Sequence, residues 1–284
     1  MGSHLSLQGS SLVYSHSVSN HPENDSFERH CHDYYELLYV VRGKGRYIVE
    51  SMEYPLLPNT LLLLRPYEFH DVCPHKECVY ERYVIHFKAS ALLDAVAALP
   101  MICQDRLPSA GVYIASANIS EAVQSTISGL DEVSRLFADT SMRNARDALL
   151  VTELNRILLL LSLAKREEVA EPGDELIPRV IAYLNLHIER PISLDRLAQR
   201  FFVSKYYLCH AFRRQTGISI FTYIHTKRIA MAQQLLENGE PATSVAYQVG
   251  FQNYSSFYRT FCKLTGHAPV YGREERGINK KEDL

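Results

Sequence analysis

The sequence contains no apolar run long enough to cross a membrane. Runs such as Leu61–Leu64 and Ile157–Leu161 fall far short of the roughly 18 consecutive apolar residues that a spanning helix needs. The amino terminus has neither the basic start nor the apolar centre of a signal peptide. The six cysteines include no C-x-x-C pair, which argues against a zinc knuckle or a redox disulfide. We therefore expect a cytoplasmic protein with reduced thiols.

Charge is low overall but unevenly distributed. The formal net charge is −2, yet residues 174–284 hold 15 Lys and Arg against 10 Asp and Glu, whereas residues 1–173 hold 15 against 22. Within residues 196–263 there are nine basic and two acidic side chains. Such a concentrated positive field attracts a polyanion, although an ordinary solvated face would give the same count.

Two kinds of pattern divide the chain. Segments rich in branched and aromatic residues, separated by Gly or Pro, predict short strands of a small barrel or sandwich at 34–41, 45–50, 60–66 and 81–87. After about residue 120 the period becomes helical, with an apolar stripe formed by Leu150, Leu154, Ile157 and Leu161. This stripe predicts a dimer contact, unless it packs on the barrel instead. The charged segment 165–175 contains Pro-Gly and is assigned as a linker.

The carboxy-terminal half contains an internal repeat. Segments 193–217 and 242–266 each have the pattern of a short helix with a buried alanine, a tight turn, and a longer helix ending in Thr-Gly. Ser204 is placed to cap the longer helix of the first unit, and Gly250 can adopt the left-handed conformation in the second turn. A helix over residues 219–236 joins the units. Two such helix pairs in a basic region predict two helix-turn-helix units.

The predicted outer faces of the two longer helices carry aromatic and basic side chains. They comprise Tyr206, Cys209, His210 and Arg213 in the first unit, and Tyr254, Ser255, Tyr258 and Arg259 in the second. Exposed Tyr, His and Arg side chains suit contacts with base edges and phosphates, although plain solvent-facing residues would show the same spacing.

Residues 177–273 resemble the DNA-binding domain of the AraC/XylS family of bacterial transcription regulators, most closely in "VAYQVGFQNYSSFYRTFCKLTGHAP". The resemblance implies that helices at 204–215 and 254–264 enter successive major-groove segments of a double-stranded DNA operator. It assigns base contacts to Tyr206, Cys209, His210, Tyr254, Ser255 and Arg259, and phosphate contacts to Lys205, Arg213, Arg214 and Lys263. It also implies a homodimer, a small-molecule effector, contact with RNA polymerase, and activation as the commoner role.

The sequence departs from the family pattern at three places, one of them after Pro269, where Tyr271 follows two residues on rather than three and Gly272 precedes Arg273. Phe202 stands in the first turn where the family often has glycine, which carries a conformational cost if that turn needs a positive φ. Cys209 stands where longer hydrogen-bonding side chains are common, so it offers apolar contact, for example to a thymine methyl, and little donor–acceptor readout.

The stretch "HCHDYYE" places His30, His32 and Glu36 at alternating positions, so on a strand they share one face, together with Arg42 if the strand continues unbroken. The spacing H-x-H-x3-E-x6-G resembles the first motif of the cupin barrel. "RPYEFH" resembles the second, with His70 as its usual ligand but Tyr67 where glycine is expected. The resemblance makes His30, His32, Glu36 and His70 candidate ligands of a divalent metal such as Zn, Fe, Ni or Mn. A receptor wall that requires no cofactor is the alternative.

Sugar-sensing members of the family resemble this barrel and use it as a receptor. The resemblance therefore implies an effector pocket for a sugar or small acid, lined by His30, His32, Glu36, Arg42, His70 and Arg82. A cupin dioxygenase or isomerase would leave the repeat unexplained, and an RNA-binding protein would lack its stacking sheet. We therefore expect no catalysis.

These observations predict an α+β multidomain protein, with a cupin-like β-barrel and its following helices before an all-α domain of two helix-turn-helix units. The expected parts are a barrel with its amino-terminal arm at 1–120, a helical dimerisation segment at 121–164, the linker at 165–175, the DNA-binding domain at 176–276 and a charged tail at 277–284.

Overall fold

The protein forms two compact units, residues 1–171 and 172–284. The structure, a computed structural model, describes residues 3–8, 12–22, 29–50, 52–99, 102, 112–114, 117–136, 143–163, 176–237 and 239–269. The assigned linker 165–175 and the tail 277–284 lie outside the described residues. As predicted, the first unit is rich in strands and the second is helical.

The first unit contains two antiparallel sheets. Its strands are β1 (Ser3–Gln8), β2 (Leu12–Ser19), β3 (Tyr35–Arg42), β4 (Gly45–Val49), β5 (Met52–Leu56), β6 (Thr60–Leu64), β7 (His70–Pro74), β8 (Tyr80–Phe87) and β9 (Val112–Ile114). The six-stranded sheet has the order β1-β2-β8-β3-β6-β9, and the three-stranded sheet has the order β5-β4-β7. The predicted arm thus includes two strands paired at the edge of the larger sheet.

The described residues of the first unit also form helices, the first of which precedes β9. They are α1 (Asp94–Ala97), α2 (Ala117–Leu136) and α3 (Arg143–Leu163), and a short 3-10 turn at Ala89–Ala91 precedes them. Alternate residues of β3 face opposite sides of its sheet. Leu38 and Val40 join an apolar cluster with the smaller sheet, whereas Leu37 and Tyr39 join a second cluster with α2 and α3. The central strands are therefore apolar on both faces, which explains their continuous hydrophobic runs.

The apolar stripe of α3 packs within its own chain. Leu150, Leu154, Ile157 and Leu161 are each at most 1% exposed and belong to the cluster formed with the larger sheet. The alternative that the sequence left open is therefore the observed one, and the proposed dimer contact through this stripe is wrong. An amphipathic stripe predicts that one face of a helix is buried, but it does not predict which surface covers that face.

The second unit is entirely helical in its described residues. Its helices are α4 (Leu176–Leu186), α5 (Leu194–Arg200), α6 (Lys205–Thr216), α7 (Ile220–Glu237), α8 (Ala242–Gln248) and α9 (Tyr254–Thr265). Helices α6, α7 and α9 agree with the predicted bounds to within one or two residues. Both α6 and α9 end in a left-handed glycine, Gly217 or Gly266, whose N–H bonds back into the last turn.

The two turns before α6 and α9 share one strained position but differ in length. Phe202 has a φ of 55° and Gly250 a φ of 92°, and each follows the residue that caps the preceding helix. Glycine is required at 250, because a Cβ there would lie 2.5 Å from the Glu189 carbonyl oxygen. Four residues, 201–204, separate α5 from α6, whereas five residues, 249–253, separate α8 from α9.

No helix in the described ranges is long and apolar enough to cross a membrane. Within those ranges, no cysteine forms a disulfide.

Candidate effector site and nucleic-acid interface

The carboxylate of Glu36 is the centre of a histidine cluster inside the barrel. Glu36 lies on β3 directly opposite His86 on β8, on the face that Leu38 and Val40 present to the smaller sheet. Its Oε2 atom lies 2.9 Å from Nε2 of His86 and 3.1 Å from Nε2 of His32. Nε2 of His70 lies 3.7 Å from the same oxygen.

Backbone contacts bring the remaining histidines to this carboxylate. His30 and His70 form an isolated β-bridge, with N–H···O distances of 3.0 and 2.9 Å in the two directions. The N–H of Tyr67 donates to the carbonyl of His32 at 2.7 Å. Tyr67 has a φ of 61°, so the position where the cupin pattern has glycine does adopt a left-handed conformation here. The four predicted ligands therefore converge although only Glu36 and His70 lie on strands.

The electrostatics of the cluster keep Glu36 ionised next to a neutral His70 imidazole. Burial alone would raise the pKa of Glu36, but hydrogen bonds with His32 and His86 and the nearby His70 hold it well below its usual value. Burial lowers the pKa of His70 to about 4, and the attraction of Glu36 offsets only part of that effect. Burial and the Glu36 charge raise the pKa of Tyr47, whose hydroxyl donates to Glu36 at 3.4 Å.

The backbone carbonyl beside each Nδ1 constrains which ring nitrogen carries the proton. Nδ1 of His70 lies 2.8 Å from the Glu68 carbonyl, and Nδ1 of His32 lies 2.9 Å from the Tyr34 carbonyl. When each Nδ1 carries a proton and donates it to that carbonyl, the Nε2 atoms present lone pairs to Glu36. Nε2 of His70 is buried and finds no hydrogen-bond partner among the described residues. The arrangement needs a proton or a metal cation between these nitrogens and the carboxylate.

Arg42 does not belong to this cluster. A β-bulge between Val40 and Arg42 shifts the pairing of β3 with β8, so that Arg42 lies opposite Glu81. Its side chain is 69% exposed, and its Nε atom lies 2.8 Å from Glu81. The extra residue reverses the face on which every later side chain points, so the parity argument fails at that position.

Arg82 does lie on the inner wall, and His86 was missed. Arg82, Val84 and His86 alternate along β8 on one face, and the guanidinium of Arg82 lies 4.6 Å from the centre of the Tyr80 ring. Only the family resemblance assigned Arg82 to the pocket; the alternation in "ERYVIHF" places His86 on the same face and could have identified it. Two groups have ligand atoms within 4.8 Å of one another: His30, His32 and His70, and His32, Glu36 and His86.

In the second unit, the amino-terminal ends of α6 and α9 are capped by side chains. Oγ of Ser204 accepts the N–H of Tyr207 at 3.2 Å, as its position predicts, and Oδ1 of Asn253 accepts the N–H of Ser256 at 2.8 Å. The apolar faces of both helices are buried through residues such as Leu208, Phe212, Phe257 and Phe261. The opposite faces are therefore held rigidly toward solvent.

The predicted DNA contacts all lie on these exposed faces. The exposed members are Lys205, Tyr206, His210, Arg213, Arg214, Ser255, Tyr258, Arg259 and Lys263, whereas Cys209 and Tyr254 are half-buried. Tyr206 stacks on His210 with ring centroids 6.2 Å apart, and Tyr254 lies 6.1 Å from Tyr258. Each helix thus presents paired aromatic rings beside cationic side chains.

One predicted phosphate contact has an acidic neighbour. Nζ of Lys205 lies 3.1 Å from both carboxylate oxygens of Asp195, which belongs to the first turn of α5. Sequence reasoning gave no role to Asp195.

Comparison with known proteins identifies both units. The AraC-like ligand binding domain profile matches residues 14–145, and a helix-turn-helix domain profile matches residues 197–274. The chain is 26% identical over 265 residues to the HTH-type transcriptional activator RhaR of Klebsiella pneumoniae, with 90% of each protein covered. It is 26% identical over 237 residues to the uncharacterized HTH-type transcriptional regulator YbfI of Bacillus subtilis, with 81% of this chain and 80% of that protein covered.

Among solved structures, ToxT of Vibrio cholerae is 15% identical, with 91% of this chain and 96% of that chain covered and a TM-score of 0.34. The two profiles fall on the two units, in the order that the sequence predicts, and the curated relatives extend over both. The chain therefore belongs to the AraC family of effector-controlled, DNA-binding transcription regulators.

Proposed function

We propose that this protein is a cytoplasmic activator that binds a sugar or small acid inside its barrel, forms a homodimer, and contacts RNA polymerase. The observation that carries the proposal is the polar inner wall, where the Glu36 carboxylate lies within 3.7 Å of His32, His70 and His86. The activator role is supported by the similarity to RhaR, which is a transcriptional activator. The barrel binds its ligand without transforming it, so the ligand should be recovered unchanged after incubation.

The inner wall offers the donors and acceptors that a polyhydroxyl or acidic ligand needs. Glu36 and the imidazoles can accept or donate hydrogen bonds, and the guanidinium of Arg82 provides a charged donor on the same face of β8. A buried polar group that loses its partner costs about 1–3 kcal/mol, so this wall favours ligands that satisfy it.

The test begins with thermal unfolding of the full chain in a panel of sugars, sugar acids and small carboxylic acids. Compounds that stabilise the protein are then added to fluorescence-anisotropy titrations with DNA enriched from a random duplex library by the full chain. We expect one chemical class to stabilise the protein and change its DNA affinity. Arg82→Ala should remove both effects, whereas Arg46→Ala, which alters an exposed Glu53 pair, should remove neither. Stabilisation without any change in DNA binding would contradict effector control.

A divalent transition metal is a second candidate ligand, favoured by the donor set itself. Imidazole nitrogens with one carboxylate suit Zn, Ni or Fe. Two overlapping groups could hold the metal: His30, His32 and His70, or His32, Glu36 and His86. The buried Nε2 of His70 fits this role, because it finds no hydrogen-bond partner among the described residues while its other ring nitrogen is fixed by a backbone carbonyl. A bound metal would supply open coordination positions for ligand oxygen atoms.

Elemental analysis of untagged protein, prepared without chelator or metal resin and then exposed to Zn²⁺, tests this second candidate. We expect about one metal ion per chain. His32→Ala, which removes a ligand from both groups, should lose the metal, whereas His75→Ala, an exposed histidine outside the cluster, should keep it. Wild-type protein that remains metal-free after reconstitution would reject the metal and leave the organic effector standing.

The homodimer requires a surface other than the buried stripe of α3. The opposite side of α3 carries Leu149, Thr152, Arg156, Leu159 and Leu163, all exposed and spaced alternately by three and four residues. That spacing is a heptad seam, and its three leucines are 40%, 43% and 75% exposed. We propose that two copies pair through this face.

Sedimentation analysis tests the pairing. Leu159→Lys with Leu163→Lys should give a folded monomer, whereas Ser128→Lys, an exposed change on α2, should leave the dimer intact. Leu154→Lys with Ile157→Lys should unfold the first unit rather than separate subunits, because both side chains are fully buried. A dimer that survives the Leu159 and Leu163 changes would place the contact elsewhere.

A further inference from the structure

Phe202 combines a strained backbone with a side chain that nothing in its own unit covers. Its φ of 55° lies in the left-handed region, which a bulky residue rarely adopts. Its side chain is 96% exposed, more than any other large apolar residue that the structure describes. Its counterpart in the second turn is Gly250, which the close approach of Glu189 explains. Neither packing nor backbone conformation accounts for phenylalanine at position 202.

The position of Phe202 places its ring at the edge of the DNA-binding surface. In a helix-turn-helix unit the first helix crosses the DNA backbone and the amino-terminal residues of the second helix reach the bases. Phe202 lies in the turn between them, three residues before the start of α6. The next exposed aromatic residue is Tyr206, which is 82% exposed on the first turn of α6. The exposed ring thus stands four residues before Tyr206, the first aromatic residue among the predicted DNA contacts.

We propose that Phe202 is a further DNA-contact residue, whose ring packs against the rim of the major groove occupied by α6. The groove rim offers deoxyribose carbons and thymine methyl groups, which accept apolar contact and require no hydrogen bond. Such a contact releases no counterion, so it adds affinity without adding to the salt dependence that Lys and Arg contacts produce. The first helix-turn-helix thus uses the aromatic side chain of Phe202 where the second has only Gly250.

The test measures binding of the full chain to duplex enriched from a random library, by fluorescence anisotropy at several salt concentrations. Phe202→Ala and Phe202→Gly should each bind about tenfold more weakly, the loss expected for one good apolar or stacking contact, and the slope of log K against log salt should not change. Phe202→Tyr should bind within about twofold of wild type, because the ring remains. Leu186→Ala, a 78% exposed apolar residue that ends α4, should bind as wild type does.

The glycine variant separates contact from folding. Because it relieves the strained φ, its thermal unfolding midpoint should not fall below that of wild type. Weaker binding by a chain that is equally stable can then be assigned to the lost ring. If deoxyuridine in place of thymine in the site abolishes the difference between wild type and Phe202→Gly, the contact is to a thymine methyl; an unchanged difference assigns it to deoxyribose.

Three results would overturn the proposal. Wild-type affinity in Phe202→Gly would mean that the ring does not touch DNA. Weak binding by Phe202→Ala alone would assign the effect to turn geometry. Normal DNA binding with lost activation in a reporter assay would assign the ring to a protein partner instead.

Discussion

Replacing Asp195 by asparagine should strengthen DNA binding while slightly weakening the fold. Lys205 is held 3.1 Å from both Asp195 oxygens, with the two side chains 51% and 75% exposed, so an exposed pair competes with phosphate for this ammonium. Losing the pair and the acidic side chain near the start of α5 should lower the unfolding free energy by about 1 kcal/mol at most. If the freed Lys205 neutralises one more phosphate, the log–log salt slope steepens by about 0.9, which amounts to roughly eightfold tighter binding at 0.1 M salt.

Anisotropy titrations of the full chain between about 50 and 200 mM salt, the usual range for such plots, would measure both the DNA affinity and the salt slope. Glu237→Gln removes the same charge from the end of α7 and should change affinity by less than about twofold, since long-range effects are screened. In an Asp195→Asn, Lys205→Ala double variant the gain should vanish. Parallel salt plots for wild type and Asp195→Asn, or weaker binding by the variant, would refute the reasoning.

Three further predictions address the remaining assignments. Arg259→Ala should cost about 1–3 kcal/mol of binding free energy and reduce the preference for selected over scrambled duplex; an unchanged preference would make Arg259 a phosphate contact only. Arg42→Ala should leave effector-induced stabilisation intact, because the bulge turns the Arg42 side chain to the face of the sheet opposite the pocket. Loss of the response would mean that the pocket extends to Arg42. Burial, and then the nearby Arg228, lower the pKa of His225, so the unfolded chain binds more protons and the unfolding free energy should fall as pH drops below about 6.5. Denaturant titrations of wild type and His225→Phe at several pH values should show a smaller decrease in the variant; equal decreases would exclude His225 as the cause.

Local chemistry allowed much of this protein to be predicted. Residues close together in the sequence determine the hydrophobic period, the turns and the helix caps. These local features were enough to predict the strand segments, helix α3, the repeat and the Ser204 cap. The strained turn position was also predictable, since Phe202 stands where glycine is common and has a φ of 55°. The two cupin-like motifs also predicted that four side chains lie near one another, because each motif sets the local backbone conformation; these are His30, His32, Glu36 and His70.

The errors arose where a side chain's environment is set from far along the chain. The bulge before Arg42 depends on how β3 pairs with β8, and the two strands lie about forty residues apart in the sequence. The partner of the α3 stripe depends on which surface the strands leave free. His86 was passed over because it belongs to no motif, although Glu36 lies directly opposite it. Asp195 gained a role only when α5 and the start of α6 were seen together.

The unequal turns before α6 and α9 should make a single subunit bind DNA in one preferred orientation. With four residues in one turn and five in the other, the two recognition helices are not presented identically by their supporting helices. The two exposed faces also carry different side chains, so we expect the helices to prefer different base sequences and a subunit turned end for end to bind its site more weakly. Even one copy can thus distinguish the upstream from the downstream side of its site, which a two-fold symmetric reader cannot do.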